Sequence, residues 1–457
     1  MSPEEGIYIS YSSKKDMTVQ KNQKLLIKLI FLISLLAIPS VSCADWDDVL
    51  AKLRPRISLQ EEYTDNLNLT RTNKEDDFIT TVYPGLTFSA TENREAKSGL
   101  DLDFLLGLVF YVHHVENNYV SYTGTLNTWH TFGRRLTMRV WDYFLRSQEP
   151  EESLVTYQGP TGIYYPVAQR GRYTYVRNIF EPSLTYRFGQ EDQFSITYQN
   201  NYYNTENPSA EDSRGNTVTP QFTYWFNAHH GITLEYSFQT GKFKQSPDFT
   251  GEPSPDFTYH RARGRYTYRF NPRTSVFTEF TYDTIGYDPP GIDFYVQALS
   301  AGITHAFTPT LNGRLQAGYF RRNPESGKST QGPTVDAGLT QRTQRTTMDI
   351  TVQGGYTYDF FSTSNLGFTK YYRGIVSLTH QLAERFSLNS TGTLGRDSYI
   401  GSGRKDWYWR VGVNLSYQLT RWLTAFAGVS YNENNSNQNE NDYKEWRGIV
   451  RLTATRR

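Results

Sequence analysis

The chain has 457 residues, a formal net charge of +1 and one cysteine, Cys43, which excludes an intrachain disulfide and a strongly basic nucleic-acid surface. Tyrosine, phenylalanine and tryptophan number 35, 27 and 8, yet only 37% of residues are hydrophobic and mean hydropathy is −0.62, too polar for a large conventional core. A transmembrane β-barrel resolves the conflict: it needs one apolar residue in two, on the lipid side, and concentrates aromatics at the two interfaces.

At the N-terminus Lys21, Lys24 and Lys28 surround an apolar run from Leu25 to Ile38, followed by Pro39-Ser40-Val41-Ser42-Cys43-Ala44. The run falls short of the ~20 residues a spanning helix needs, and Ser42-x-Ala44 supplies the small residues of a cleavage site. Residues 1–44 therefore read as a signal peptide, with Met17 an alternative start, residues 45–54 as a short periplasmic segment and 55–457 as one barrel domain. A competing reading lipidates Cys43 after cleavage at Ser42, but Ser40 stands where such signals usually carry leucine.

Beyond Asp45 the apolar period is two, over and over. Leu100, Leu102, Phe104, Leu106, Leu108 and Phe110 form one row opposite Asp101 and Asp103; Ile232, Leu234, Tyr236 and Phe238 form another. The clearest is Trp407, Trp409, Val411, Val413, Leu415, Tyr417 and Leu419. Such runs suit tilted strands of ~9 to 11 residues crossing a bilayer. Tight turns are expected at Phe132-Gly133-Arg134, Phe188–Glu191, Phe226–His229, Phe270–Arg273, Phe307–Thr310, Leu382–Arg385 and Leu419–Trp422. Longer connections are expected at Gln148–Arg170, Asn204–Asn216, Gly241–Pro255, Arg322–Gly332 and Asn432–Asn441. This alternation predicts an antiparallel up-and-down barrel of about 18–20 strands, with short periplasmic turns and long extracellular loops. Its lumen is too wide for side chains alone to fill, so Gln148–Arg170, the longest loop, is the candidate constriction, with a surface loop the plainer alternative.

The polar face carries what chemistry there is. With Ala262, Gly264, Tyr266, Tyr268 and Phe270 toward lipid, Arg261, Arg263, Arg265 and Arg269 form a ladder inside, flanked by Glu235 on the preceding strand and Glu279 and Asp283 on the next. Arg139, Arg314, Arg410, Arg451, Asp336 and Asp349 also fall on polar faces. A functional reading makes these a field for anionic solutes. A plainer reading, favoured because acidic partners sit on both neighbouring strands, makes them a lattice of cross-strand ion pairs.

No catalytic residues, cofactor site or metal site can be assigned. Ser326-Gly327-Lys328-Ser329-Thr330 resembles the end of a phosphate loop, but Arg322 occupies the position of its first glycine and no helix follows. Gly401-Ser402-Gly403 lacks a third glycine. The pairs His113-His114 and His229-His230 would point to opposite faces of a strand, which prevents joint chelation.

One opening signature remains: Glu62-Tyr63-Thr64-Asp65-Asn66, then Asp77-Phe78-Ile79-Thr80 and Tyr83-Pro84-Gly85. It is similar to the start of the β-barrel porins found with exosortase, PEP-CTERM and exopolysaccharide systems. The resemblance implies an outer-membrane protein serving polysaccharide export, and it carries over no catalytic residue. The expected function is a porin-like outer-membrane channel for small solutes or polysaccharide, with the bilayer and export-system proteins as partners and no cofactor. Its alternatives are a plugged docking barrel of a surface-polysaccharide system and a barrel enzyme.

Overall fold

A computed structural model describes residues 52–91, 97–149, 172–245, 249–250, 253–359, 361 and 367–456. The expected signal peptide, and nearly all of the expected Gln148–Arg170 constriction, lie outside these residues.

Twenty strands follow one another: β1 (Leu53–Thr64), β2 (Asp77–Ser89), β3 (Ser98–Tyr111), β4 (Tyr119–Phe132), β5 (Leu136–Ser147), β6 (Tyr175–Arg187) and β7 (Gln193–Thr205). Then come β8 (Asp212–Trp225), β9 (His230–Lys244), β10 (Phe257–Asn271), β11 (Thr274–Tyr287), β12 (Phe294–Thr308), β13 (Leu311–Pro324) and β14 (Thr330–Arg342). The last are β15 (Thr346–Asp359), β16 (Gly367–Ala383), β17 (Phe386–Tyr399), β18 (Lys405–Gln418), β19 (Leu423–Ser436) and β20 (Tyr443–Thr455). Each strand pairs with the next, and β1 pairs antiparallel with β20 from Arg56↔Thr455 to Thr64↔Arg447, which closes the sheet. The expected barrel is borne out at the upper strand count. Closure leaves no sheet edge, so the backbone polar groups of the wall are satisfied within it, as a bilayer demands.

Two expectations need correction. The strands hold 12 to 17 residues, more than a membrane crossing needs, because several expected loops are themselves strand at their bases. Of Asn204–Asn216 only 206–211 is loop, and the other long connections contract likewise to 245–256, 325–329 and 437–442. A tight connection at 343–345, not among the expected turns, joins β14 to β15. One rim carries both ends of the barrel chain and connections of two to five residues, apart from 90–97 between β2 and β3; the other carries connections of five residues or more, the longest between β5 and β6. By the rule for such barrels the first rim is periplasmic.

The outer face bears an apolar belt. Leu234, Leu299, Leu315, Val352, Val376, Val411, Val450 and Leu452 are exposed along it. Phe132, Phe226, Phe270, Phe307 and Trp422 mark the short-turn rim, and Tyr63, Phe78, Tyr295, Tyr319, Trp407 and Trp446 the opposite one. Two aromatic girdles around an aliphatic band are how a barrel matches the interfaces and interior of a bilayer. Among the described residues no helix is long and apolar enough to cross a membrane.

Candidate functional site

The inner face begins with β10. Its register places Arg261 beside Asp283, Arg265 beside Glu279 and Arg263 beside Glu235, so alternation puts all six on one side of the sheet. Arg263 donates to Glu235 at 2.6 Å and lies 3.7 Å from Glu279; Arg265 donates to Glu279 at 2.8 Å. Gln316 on β13 reaches Glu279 at 3.3 Å, and Gln221 on β8 reaches Glu235 at 3.2 Å. Farther round, Arg314 donates to Asp336 at 2.6 Å, which also accepts from Gln353, itself bonded by Arg373. Arg269 lies lower than its row suggests: it stacks 4.1 Å from Trp225 and pairs with Glu191 of the β6–β7 turn, at the short-turn rim. Arg410 sits 5.0 Å over Tyr408; Arg139 and Arg451 stack on Trp129 and Phe426. The lattice is therefore continuous, yet wet: Arg263 and Arg265 keep 31% and 34% of their side chains exposed, and Arg314 53%.

Asp283 is different. It is fully buried and takes both donors of Arg261, Nε at 2.8 Å and Nη2 at 3.0 Å. Its Oδ2 also accepts from the hydroxyls of Tyr358 at 2.7 Å and Tyr356 at 3.1 Å. Those tyrosines belong to β15, four strands away, so the contact crosses the lumen. A buried carboxylate with four donors is well compensated, and charge-assisted bonds of this kind are about twice as strong as neutral ones.

Local backbone geometry makes the reach possible. Gln353 and Tyr356 both point inward although they stand three positions apart, an odd spacing that strict alternation puts on opposite faces. The phase resets at Gly354-Gly355, where Gly355 adopts φ +148°, a conformation side chains avoid. Above the reset, Tyr356, Tyr358 and Phe368 pack with Phe320, fully buried on β13, and Phe294 on β12. The connection after β15 adds Phe361, whose ring lies 5.8 Å from Phe257 and 6.3 Å from Phe243. Its carbonyl accepts from Arg177 on β6 at 3.3 Å. Gly215 on β8 faces that ring so closely that a Cβ there would meet it at 2.5 Å. An aromatic cluster from β10 to β16 thus touches the opposite wall and narrows the extracellular half of the lumen.

A second buried ionic group anchors the feet of the longest connection. Glu149 accepts from Arg172 at 3.0 Å, and Arg447 on β20 stands 4.0 Å away while pairing with Glu62 at 3.2 Å and Glu445 at 2.9 Å. Arg172 also donates to Tyr111 and, at 3.1 Å, to the carbonyl of Leu67. Burial would raise the Glu149 carboxyl, but Arg172 and Arg447 outweigh it and bring it down to about 2. Sequence reasoning missed this group: Glu149 and Arg172 lie at the ends of a loop, where strand alternation carries no signal.

The opening signature works at the seam. Asn66, wholly buried, donates to the carbonyls of Thr70 at 2.7 Å and Lys444 at 2.9 Å and accepts from the Thr70 amide, while Asp65 accepts from the Trp446 amide and Thr64 bonds Glu445. Asp77 accepts from the amides of Phe78, Val112, His113 and His114. His113 and His114 therefore lie in the connection after β3 and not along a strand, and His229 and His230 sit at the β8–β9 turn. Ser326–Ser329 and Gly401–Gly403 occupy hairpin connections, and among the described residues no cluster of acids, histidines and cysteines could hold a metal ion.

A closed twenty-stranded antiparallel barrel with an apolar outer belt and a polar, ion-paired interior defines the class: an outer-membrane barrel of the kind formed by porins and receptors. Residues 238–456, from within β9 to the end of β20, match the family model described as "Putative beta-barrel porin 2", and the resemblance to an outer-membrane porin family is shown over that stretch. No curated protein matches the chain. The siderophore receptor PirA from Pseudomonas aeruginosa is similar in fold, with a TM-score of 0.50 at 9% identity over 89% of this chain and 80% of that one. OccK3 (OpdO) of the same organism aligns with a TM-score of 0.39 at 11% identity over 90% of this chain and 97% of that one.

Proposed function

We propose that this chain is a porin-like channel for small solutes, constricted in its extracellular half by the aromatic cluster that Asp283 holds against β10 and β11. The observation that carries the reading is the exposure of paired charges inside a closed wall. Arg314 and Asp336 keep 53% and 36% of their side chains exposed, as a water-filled lumen requires. Alternating charges along that wall favour solutes with polar groups of both signs over simple ions. The opening signature, Glu62–Asn66 and Asp77–Gly85, supports a place beside a surface-polysaccharide export apparatus.

A second reading, a closed docking barrel, draws on the cross-lumen contacts of Phe361 and Tyr358. Single-channel recording of the reconstituted chain in a planar bilayer, with a salt gradient to read selectivity, separates the two. Discrete stable openings support the channel. A folded barrel that passes no current, and still passes none when Phe361 is replaced by alanine, refutes it in favour of docking.

A further inference from the structure

Nearly every inward-facing arginine from β10 to β14 faces a carboxylate, and Arg322 does not. Its register beside Val296 on β12 and Thr330 on β14 turns it into the lumen, at the extracellular end of β13. The guanidinium lies 4.0 Å over the ring of Phe294 and 5.4 Å from that of Phe368. Its Nε is buried without a hydrogen-bond partner, and the groups in its electrostatic reach are the phenols of Tyr287 and Tyr358. By contrast Arg261, Arg263, Arg265 and Arg314 on the same face each hold an aspartate or glutamate.

A cation half removed from water and left without a counter-charge is costly, and it persists where something outside the chain completes it. We propose that Arg322 is the anchor of a binding site for a small monocarboxylate carrying a ring, entered from the extracellular mouth. The inference rests on the channel reading only in that the mouth must admit a solute. One guanidinium matches one carboxylate in fork geometry, whereas a phosphate dianion would bring a second charge into aromatic surroundings that do not compensate it. Phe294 and Phe368, both buried, hold the fork flat, which lowers the entropy of capture, and the half-buried ring of Tyr287, packed on Phe294, offers surface for the body of the ligand.

The site is distinguishable from a general excess of positive charge because Arg321, the next residue, is exposed and on the opposite face of the strand. Titration calorimetry of the full chain in detergent with benzoate, in competition with inorganic phosphate, tests the proposal without requiring conduction. Saturable benzoate binding is expected, weakened about tenfold or more in Arg322→Gln, retained in Arg321→Gln, and partly restored in Arg322→Lys, which keeps the charge and loses the fork. Phe294→Leu should weaken binding while leaving the barrel folded, and phosphate should not displace benzoate at equal concentration. Absence of binding by the wild type, or equal binding by Arg322→Gln, overturns the site. A chain that binds benzoate but passes no current, with Phe361 or with Phe361→Ala, refutes the channel and leaves the site standing; a conducting chain that does not bind does the reverse.

Discussion

Replacing Tyr356 and Tyr358 together by phenylalanine isolates what the Asp283 contact does. The double variant removes two hydroxyls that donate to a buried carboxylate at 3.1 and 2.7 Å and leaves both rings in the aromatic cluster. A hydrogen bond to a charged group contributes about 1.5–3 kcal/mol. Since roughly 1.4 kcal/mol is tenfold in an equilibrium, each lost hydroxyl should loosen the docked end of β15 by about 10- to 100-fold. The two losses share one acceptor and will fall short of additive. Arg261 keeps both its bonds to Asp283, so the barrel wall itself should be unaffected. In single-channel records the variant should show a larger unitary conductance or longer open dwells than the wild type, while its heat-modifiable mobility on gels stays the same. Asp283→Asn is the contrasting case: it takes the counter-charge from Arg261, whose side chain is 33% exposed, and should lower the unfolding midpoint as well. In that background the added Tyr358→Phe change should have less effect on conductance than in the wild type. Currents and dwell times identical to wild type in a correctly folded double variant would refute the idea that these hydroxyls hold a constriction.

Phe361→Ala removes a ring wedged between β8 and β10; it should raise conductance and cost about 3–5 kcal/mol of local packing, read as increased protease cutting at that connection. Arg263→Gln with Arg265→Gln leaves Glu235 and Glu279 without counter-charges, so the reversal potential in a salt gradient should shift toward cation preference; no shift would mean that solutes bypass this wall. Asn66→Ala breaks one hydrogen bond that ties the first connection to β20 and two to Thr70 that shape the connection itself, each worth about 0.5–1.5 kcal/mol, and should lower the temperature at which the barrel opens on a gel. The Glu149 carboxyl is brought down to about 2 from its ordinary 4.5, so its contribution is present above pH 4.5 and is lost as pH falls through 2. Proteolysis of the β5–β6 connection should accordingly be constant from pH 8 to pH 5, and Glu149→Gln should cut faster throughout that range.

Much of the wall could be read directly, because a lipid-facing strand must alternate. Trp407, Trp409, Val411 and Val413 declare the outer face of β18, and Arg261, Arg263 and Arg265 the inner face of β10, with partners one strand away. Loop bases were misjudged for a related reason. Polar, Gly-containing stretches such as 212–216 mimic turns, yet above the membrane a hairpin needs no apolar face to remain paired, so composition stops reporting on strand there. The signature Tyr63-Thr64-Asp65-Asn66 was visible as a pattern, but its work at the β1–β20 seam depends on residues nearly four hundred positions away.

The constriction lies beyond pattern reading for a sharper physical reason. Alternation assigns each residue to a face by counting from its neighbours, and a single phase reset invalidates the count for everything beyond it. At Gly354-Gly355 two glycines permit that reset without steric cost, and Gly355 takes φ +148°. Counted from Gln353, Tyr356 and Tyr358 should face lipid, where interfacial tyrosines are ordinary; in the structure they face Asp283 across the lumen. Asp283 in turn was grouped with the wet lattice because it follows Glu279 at even spacing, and nothing in β11 distinguishes a carboxylate in water from one with four buried donors. The distinction comes from the curvature of the closed sheet, which brings β15 against β11. If that is the right account, Gly355→Val should return Tyr356 and Tyr358 toward the membrane face, release Asp283 and reproduce the conductance of the double phenylalanine variant without touching any constriction side chain.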